Sequence, residues 1–482
     1  MQDTRLIDHC DYILPPRRYA DSLLTAYYDL VWAVFPILDR TVIQKAYEGC
    51  WLGSRCAIPE HILYCLINLI FALGSQFSEV VEPSQRKEIG LSFWERARQL
   101  YRYNTHDASL ERGQRLEWPR AWVYIQTHHP PGYWDVDNTR LHAGVLSMTF
   151  GRPSMIANWL QIPDGLPSMI DDEFLDTQTE PSAIRPDGGP TVMAFFRKTL
   201  ELFDIINDIL IQLYLNPKEA RGKHLHHLKL VLDLDERLVA WVDSLPEYLK
   251  YSYSISDEAF AFRRQRVVLR ARYLHARMIL FRPILADLYL RPQYAKDDAI
   301  AKESSLSHHM IVHCACLCFE AAHEMLDVLF NNFDFKNVAG PVPAWWFSVL
   351  YIYTAATVLL SERLRSIRGL PQITQSWTQH WSSAIKLLGA YAQVGDSAKR
   401  CMAALNLLSA KIQDVVDHTQ GEGNSMERQD ESRDINSGAT LSVGSGWMDS
   451  IEETTVLPDL EDIDFDVDDL SWLLDAPLDR MF

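Results

Sequence analysis

An all-α body followed by a flexible linker and an acidic C-terminal tail is the architecture this sequence predicts, on three observations. Apolar residues recur at three- and four-residue spacing through one long segment after another, and no stretch sustains a two-residue alternation. Gly, Ser, Asn and Glu dominate only from Asp417 onward. With 482 residues, 48% of them hydrophobic, the chain can bury a sizeable core.

Taken in order, Tyr19 to Val34 places Tyr19, Ala20, Leu23, Leu24, Tyr27, Tyr28, Val31 and Val34 on one helix face behind a Pro15-Pro16 start, and Pro36 ends it. A second helix runs from about Ile58 or Pro59 to Leu73, with Gly74 as its stop; it is apolar nearly all round, which places it centrally. Ser84 to Tyr101 follows as an amphipathic helix with Glu88, Glu95, Arg96 and Arg98 on its wet side. Residues 113–138 and 176–190 have loop-like composition with no sustained period. Helices then span Thr191 to Leu215, Leu225 to Leu245, Glu258 to Leu290 with an interruption at Pro283, Leu306 to Phe330, Ala344 to Arg368, Trp377 to Val394, and Ser397 to Val416. The longest apolar run, Val342 to Leu360, contains Pro343, Ser348, Thr354 and Thr357 and reads as a buried core helix rather than a bilayer span.

Several motifs carry a resemblance. A Leu14-Pro15-Pro16-Arg17-Arg18 start precedes Phe35-Pro36-Ile37-Leu38-Asp39-Arg40, a Trp51 segment, and Asn68-Leu69-Ile70-Phe71-Ala72-Leu73-Gly74-Ser75-Gln76-Phe77. Three more follow: Ser147-Met148-Thr149-Phe150-Gly151-Arg152-Pro153, Ile170-Asp171-Asp172-Glu173-Phe174-Leu175, and Leu269 to Arg277 running on to Phe281-Arg282-Pro283. In this order, over roughly residues 14 to 410, they resemble the fungal-specific transcription factor regulatory domain, the middle homology region of zinc binuclear cluster (Zn2Cys6) regulators. The resemblance implies a large multi-helix regulatory domain over residues 1–416, a nuclear protein controlling RNA polymerase II genes of metabolism, and no enzyme activity. It implies further a dimer with another zinc cluster regulator, and a small-molecule ligand or a partner that holds the tail silent or releases it. The family's six-cysteine DNA-reading module is not found in residues 1–13. No cofactor is therefore expected, zinc and direct DNA contact coming only with such a module or from a partner. A DNA-binding-deficient protein that dimerises with full-length regulators and dampens them is the alternative within the family.

Charge and cysteine content narrow the classes. Of the formal net charge of −18, residues 449–482 supply twelve carboxylates against Arg480, a local −11 that leaves −7 for the rest. Such a body repels a phosphate backbone and is no strong nucleic-acid binder by bulk electrostatics. The eight cysteines form no Cys-x-x-Cys and read as reduced intracellular thiols.

Four clusters invite chemistry. Asp171-Asp172-Glu173 has the carboxylate density of a magnesium site for isoprenoid diphosphates, the alternative from an enzyme class; however, Asn207-Asp208 is followed by Ile211 and Leu215 where oxygen ligands are needed, so a solvated loop or helix cap is preferred. His309 and His313 have metal-pair spacing, but Cys314, Cys316 and Cys318 step by two around a helix and, with His323, read as small side chains at a tight helix contact. Arg263, Arg264, Arg266, Arg270, Arg272 and Arg277 read as the solvated face of an amphipathic helix, with an import or acidic-partner surface as the functional alternative. In the tail (449–482), joined by the linker 417–448, Ile463, Val467, Leu470 and Leu474 fall at steps of four, three and four, with Phe465 and Trp472 beside them. An acidic segment so patterned can fold as a helix on a basic, grooved partner such as a coactivator, and these six residues are the predicted activation and partner-binding site.

Overall fold

The computed structural model describes residues 12–36, 38–54, 58–100, 169, 171, 189–214, 224–253, 260–290, 306–364 and 377–426. Among these the chain forms eleven α-helices and no strand, so the all-α expectation holds. They are α1 (Arg17–Tyr27), α2 (Arg40–Leu52), α3 (Glu60–Gly74), α4 (Arg86–Leu100), α5 (Val192–Ile209), α6 (His224–Asp243), α7 (Phe260–Leu290), α8 (Leu306–Asn331), α9 (Trp345–Glu362), α10 (Trp377–Tyr391) and α11 (Asp396–Met426). The last helix continues past the 416 boundary read from composition: His418 to Met426 contains no proline, so nothing in that stretch forbids continued helical hydrogen bonding.

The helix starts follow side-chain chemistry. Asp39 Oδ1 accepts from the Val42 amide 2.9 Å away and opens α2. Thr191 Oγ1 accepts from Ala194 N, while Asp171 Oδ1 accepts from Val192 N and Met193 N at 2.9 and 3.1 Å, so the first turn of α5 is capped twice. Gly74 ends α3 as read from sequence, for a different reason. Its φ is not positive; instead a side chain there would run into the Leu23 backbone carbonyl, so glycine lets α3 lie against α1.

Helix α7 is the axis of the body, packing on α5, α6, α8 and α9. Helix α9 is buried at every position from Ser348 to Ser361 and meets α7, α8, α10 and α11. No helix among the described residues is long and apolar enough to cross a membrane. The α7–α8 contact is made close by Cys314, Ala315, Cys318, Ala321 and Ala322, all buried, with Cys318 Sγ against the Met278 carbonyl.

Pro283 does not interrupt α7. Proline at this position leaves the carbonyl of Ile279 without its amide donor. The Tyr214 hydroxyl, at the end of a π-helical turn (Leu210–Tyr214), donates to that oxygen at 2.7 Å and keeps the helix continuous. Tyr214→Phe should therefore destabilise the fold by about 1–3 kcal/mol. In a Pro283→Ala background, where the new alanine supplies an N–H to the Ile279 carbonyl, the same change should cost under about 1 kcal/mol. Urea unfolding of the four proteins measures this, and equal costs in both backgrounds would refute the pairing.

A buried arginine core beside a central cleft

The arginine run of α7 is not a solvated face. Arg264, Arg266 and Arg272 are at most 6% exposed, and Arg282 is buried as well. The physical reason is the helix's position: neighbours cover it on several sides, so there is no wet face to which all its cations could turn. On a helical wheel Arg263, Arg266, Arg270 and Arg277 fall within about 60° of one another, while Arg264 and Arg272 lie apart from them. In the first group Arg270 pairs with Glu324 of α8 and Arg277 lies 3.7 Å from Asp235 of α6, while Arg263 is exposed and Arg266, though buried, donates to the Tyr248 carbonyl. The second group points into the core.

Arg264 Nη1 donates to the carbonyls of Gly340 and Val342, at 2.9 and 2.6 Å, and its guanidinium lies 5.3 Å from the Phe77 ring centre. Arg86, at the start of α4, donates to the carbonyls of Val338 and Asn337 at 3.2 and 2.8 Å. Together they clamp the connector between α8 and α9. That connector is itself tight: Asp334 Oδ1 accepts from Lys336 N, a bridge joins Asp334 to Ala339, Val338 has φ 47° and Gly340 φ 130°. Arg272 Nη1 donates to Thr199 Oγ1 at 2.9 Å, and its guanidinium is 5.3, 5.3 and 5.5 Å from the rings of Phe35, Phe195 and Phe203. Neither Arg264 nor Arg272 meets a carboxylate among the described residues. Burial lowers their pKa values to about 9 and about 10, still well above neutrality, so both stay charged.

With Val268 between them, Arg264 and Arg272 line a narrow cavity of about 20 Å³, the room of one water. Its other walls are apolar or aromatic, among them Val34, Phe77, Trp346 and Tyr351. Outside it lies an open cleft of about 680 Å³ between α1, the turn after α3, the start of α7 and the α8–α9 connector. Leu30 and Phe77 belong to both spaces and form the partition between them. The Gly74-Ser75-Gln76-Phe77 run builds this partition: Gly74 admits the helix crossing, Gln76 Nε2 donates to the Arg86 carbonyl, and Phe77 lies under Arg264.

Of the other candidates read from the sequence, Asp171 caps α5, while Asp172 and Glu173 lie outside the described residues. His323 is buried, with Nε2 2.9 Å from Glu362 Oε2 and its ring 4.4 Å from that of His380. Among the described residues no group of three or more such side chains is placed to hold a metal ion. Ile463, Phe465, Val467, Leu470, Trp472 and Leu474 lie outside the described residues.

The chain is similar to three curated fungal proteins. It is 26% identical over 418 residues to the sorbicillinoid biosynthetic cluster transcription factor sor3 of Hypocrea jecorina, covering 82% of this chain and 60% of the relative. It is 26% identical over 444 residues to sorbicillinoid biosynthetic cluster transcription factor 2 of Penicillium rubens, covering 83% and 61%. This chain is related to fungal transcription factors. Transcription factor FBD3 of Gibberella moniliformis is 23% identical over 404 residues, 76% of this chain and 53% of that protein. The chain thus spans about 60% of the first two relatives' length and about half of the third. No protein-family model matches it, and no solved structure does.

The core also holds a histidine at the same level. His275 is 3% exposed, its ring centre is 4.8 Å from that of Tyr351, and its Nδ1 has no hydrogen-bond partner. Burial first, and the nearby Arg282 second, lower its pKa from 6.5 to about 3. The unfolded chain therefore takes up a proton near pH 6.5 that the folded chain refuses until about pH 3. Stability should fall as pH drops through this window, by up to about 1.4 kcal/mol per pH unit from this residue. Urea midpoints measured from pH 7 to pH 4 should give a flatter profile for His275→Phe than for the wild type; parallel profiles would count against the assignment.

Proposed function

We propose that this chain is the regulatory and activating portion of a fungal transcriptional regulator that controls RNA polymerase II genes of metabolism in the nucleus. The observation that carries the reading is the alignment with two sorbicillinoid cluster transcription factors across more than four fifths of the chain. The order of motifs from Leu14 to Pro283 supports assigning the helical body to the middle homology region. On this reading DNA is reached through a zinc cluster module or through a dimer partner, and zinc belongs to that module. The helical body holds or releases the tail in response to a small-molecule ligand or a partner protein. The tail acts by folding its apolar register, with Phe465 and Trp472 as aromatic anchors, onto a basic groove of a coactivator.

The test is a reporter assay with the chain fused to a heterologous DNA-binding module in a fungal host. The fusion should activate, and joint replacement of Phe465, Leu470 and Trp472 by alanine should lower activation by about tenfold or more, in keeping with the loss of two or three anchor residues. Undiminished activity at equal protein level would refute the tail's role.

A further inference from the structure

We infer that the cavity between Arg264 and Arg272 is the head-group end of a binding site for a small organic acid with an apolar body, reached from the cleft across Leu30 and Phe77. Its regulatory meaning rests on the transcriptional reading above; the binding itself does not.

The charge balance comes first. Two guanidiniums two turns apart on one helix line one narrow space, and no carboxylate approaches either among the described residues. The Nε of Arg264 has no hydrogen-bond partner. Carbonyl oxygens and aromatic faces offset part of the desolvation of these cations but neutralise neither. A carboxylate held between them would meet both with charge-assisted hydrogen bonds in a low-dielectric surround.

The walls set the rest of the ligand. Val34, Val268, Trp346 and Tyr351 offer no second charge, so the molecule is an acid whose remainder is apolar or aromatic. The cavity as it stands has room for one water, so seating the acid group requires the Phe77 ring to move aside, whereas the cleft is the size of an ordinary metabolite site. Phe77, the shared partition, sits in the turn after α3 rather than within a helix, so it can swing without unwinding one. The ligand's acid would then replace the Phe77 ring against Arg264. The hollow of about 270 Å³ between Trp241 and Tyr273 is a weaker candidate, because its Arg270 and Lys250 already pair with Glu324 and Glu247.

The experiment uses the purified full chain with phenylacetate as probe and phenylacetamide as its uncharged counterpart. Melting temperature and tryptophan fluorescence, to which Trp346 contributes from the cavity wall, are the readouts. Phenylacetate should raise the melting temperature saturably and the amide should not. Arg272→Met should weaken phenylacetate binding by about tenfold or more. Phe77→Ala, which keeps both cations and opens the partition, should tighten it by about fivefold, as a closed state no longer has to be opened first. Equal effects of acid and amide, unchanged binding in Arg272→Met, or no binding to either the wild type or Phe77→Ala would each overturn the site. Should Arg272→Met fail to fold, Phe77→Ala decides: tighter binding supports the site, and unchanged affinity overturns it. Acid binding without any change in the reporter assay refutes only the regulatory role, and reporter activity without acid binding refutes only the site.

Discussion

Burying a guanidinium among helices is costly unless its donors are met, and this fold meets terminal N–H groups of Arg86 and Arg264 with backbone oxygens from a single connector. Arg86 and Arg264 reach the carbonyls of Asn337, Val338, Gly340 and Val342 from two directions. The connector can present those oxygens inward because Val338 and Gly340 take positive φ and Asp334 ties the turn to itself. Helix α9 then begins where the connector ends, so the placement of the most buried helix depends on these contacts. Arginine suits this task better than lysine, since its planar fork can serve two carbonyls while its face lies on an aromatic ring.

A related device recurs elsewhere in the core. Polar tips of aromatic side chains donate to helix carbonyls that lack, or can share, a donor: Tyr214 to Ile279, Trp241 to Lys198, Tyr289 to Ser361 and Trp377 to Leu359. Each contact lets a large ring be buried without stranding its N–H or O–H group. It also fixes the axial register of one helix against the next, which apolar packing alone leaves loose. Helix α7 depends on it most, since one of these contacts repairs the gap made by its internal proline.

Every helix but α2 (Arg40–Leu52), which the sequence reading passes over, is legible because its signal is local. Period, proline and cap residues lie within a few positions of one another, and starts such as Pro59-Glu60 and Thr191-Val192 follow from them. The arginines mislead because charge type alone says nothing about what packs around a helix. The wheel separates Arg264 and Arg272 from Arg263, Arg270 and Arg277, yet deciding which group faces inward requires knowing that α5, α8 and α9 surround α7, which is a long-range fact. Pro283 misleads for the same reason, since its remedy comes from Tyr214, 65 residues upstream of the acceptor carbonyl. The role of Gly74 is half legible: its position at a helix end is visible, but the closeness of Leu23 is not.

The clamped connector also bears on how the chain reaches its native state. Arg86 and the carbonyls it holds are 251 and 252 residues apart in sequence, and Gln265 binds the Ala33 carbonyl across 232. Contacts of such separation close very long loops, and folding slows as their share rises. Helices α1 to α4 must therefore wait, during synthesis, for a connector made far later before their buried cation is satisfied. Until then the nascent α1–α4 segment holds Arg86 without these acceptors, and dividing the chain between α4 and α7 would part Arg86 from the Asn337 and Val338 carbonyls and Gln265 from that of Ala33.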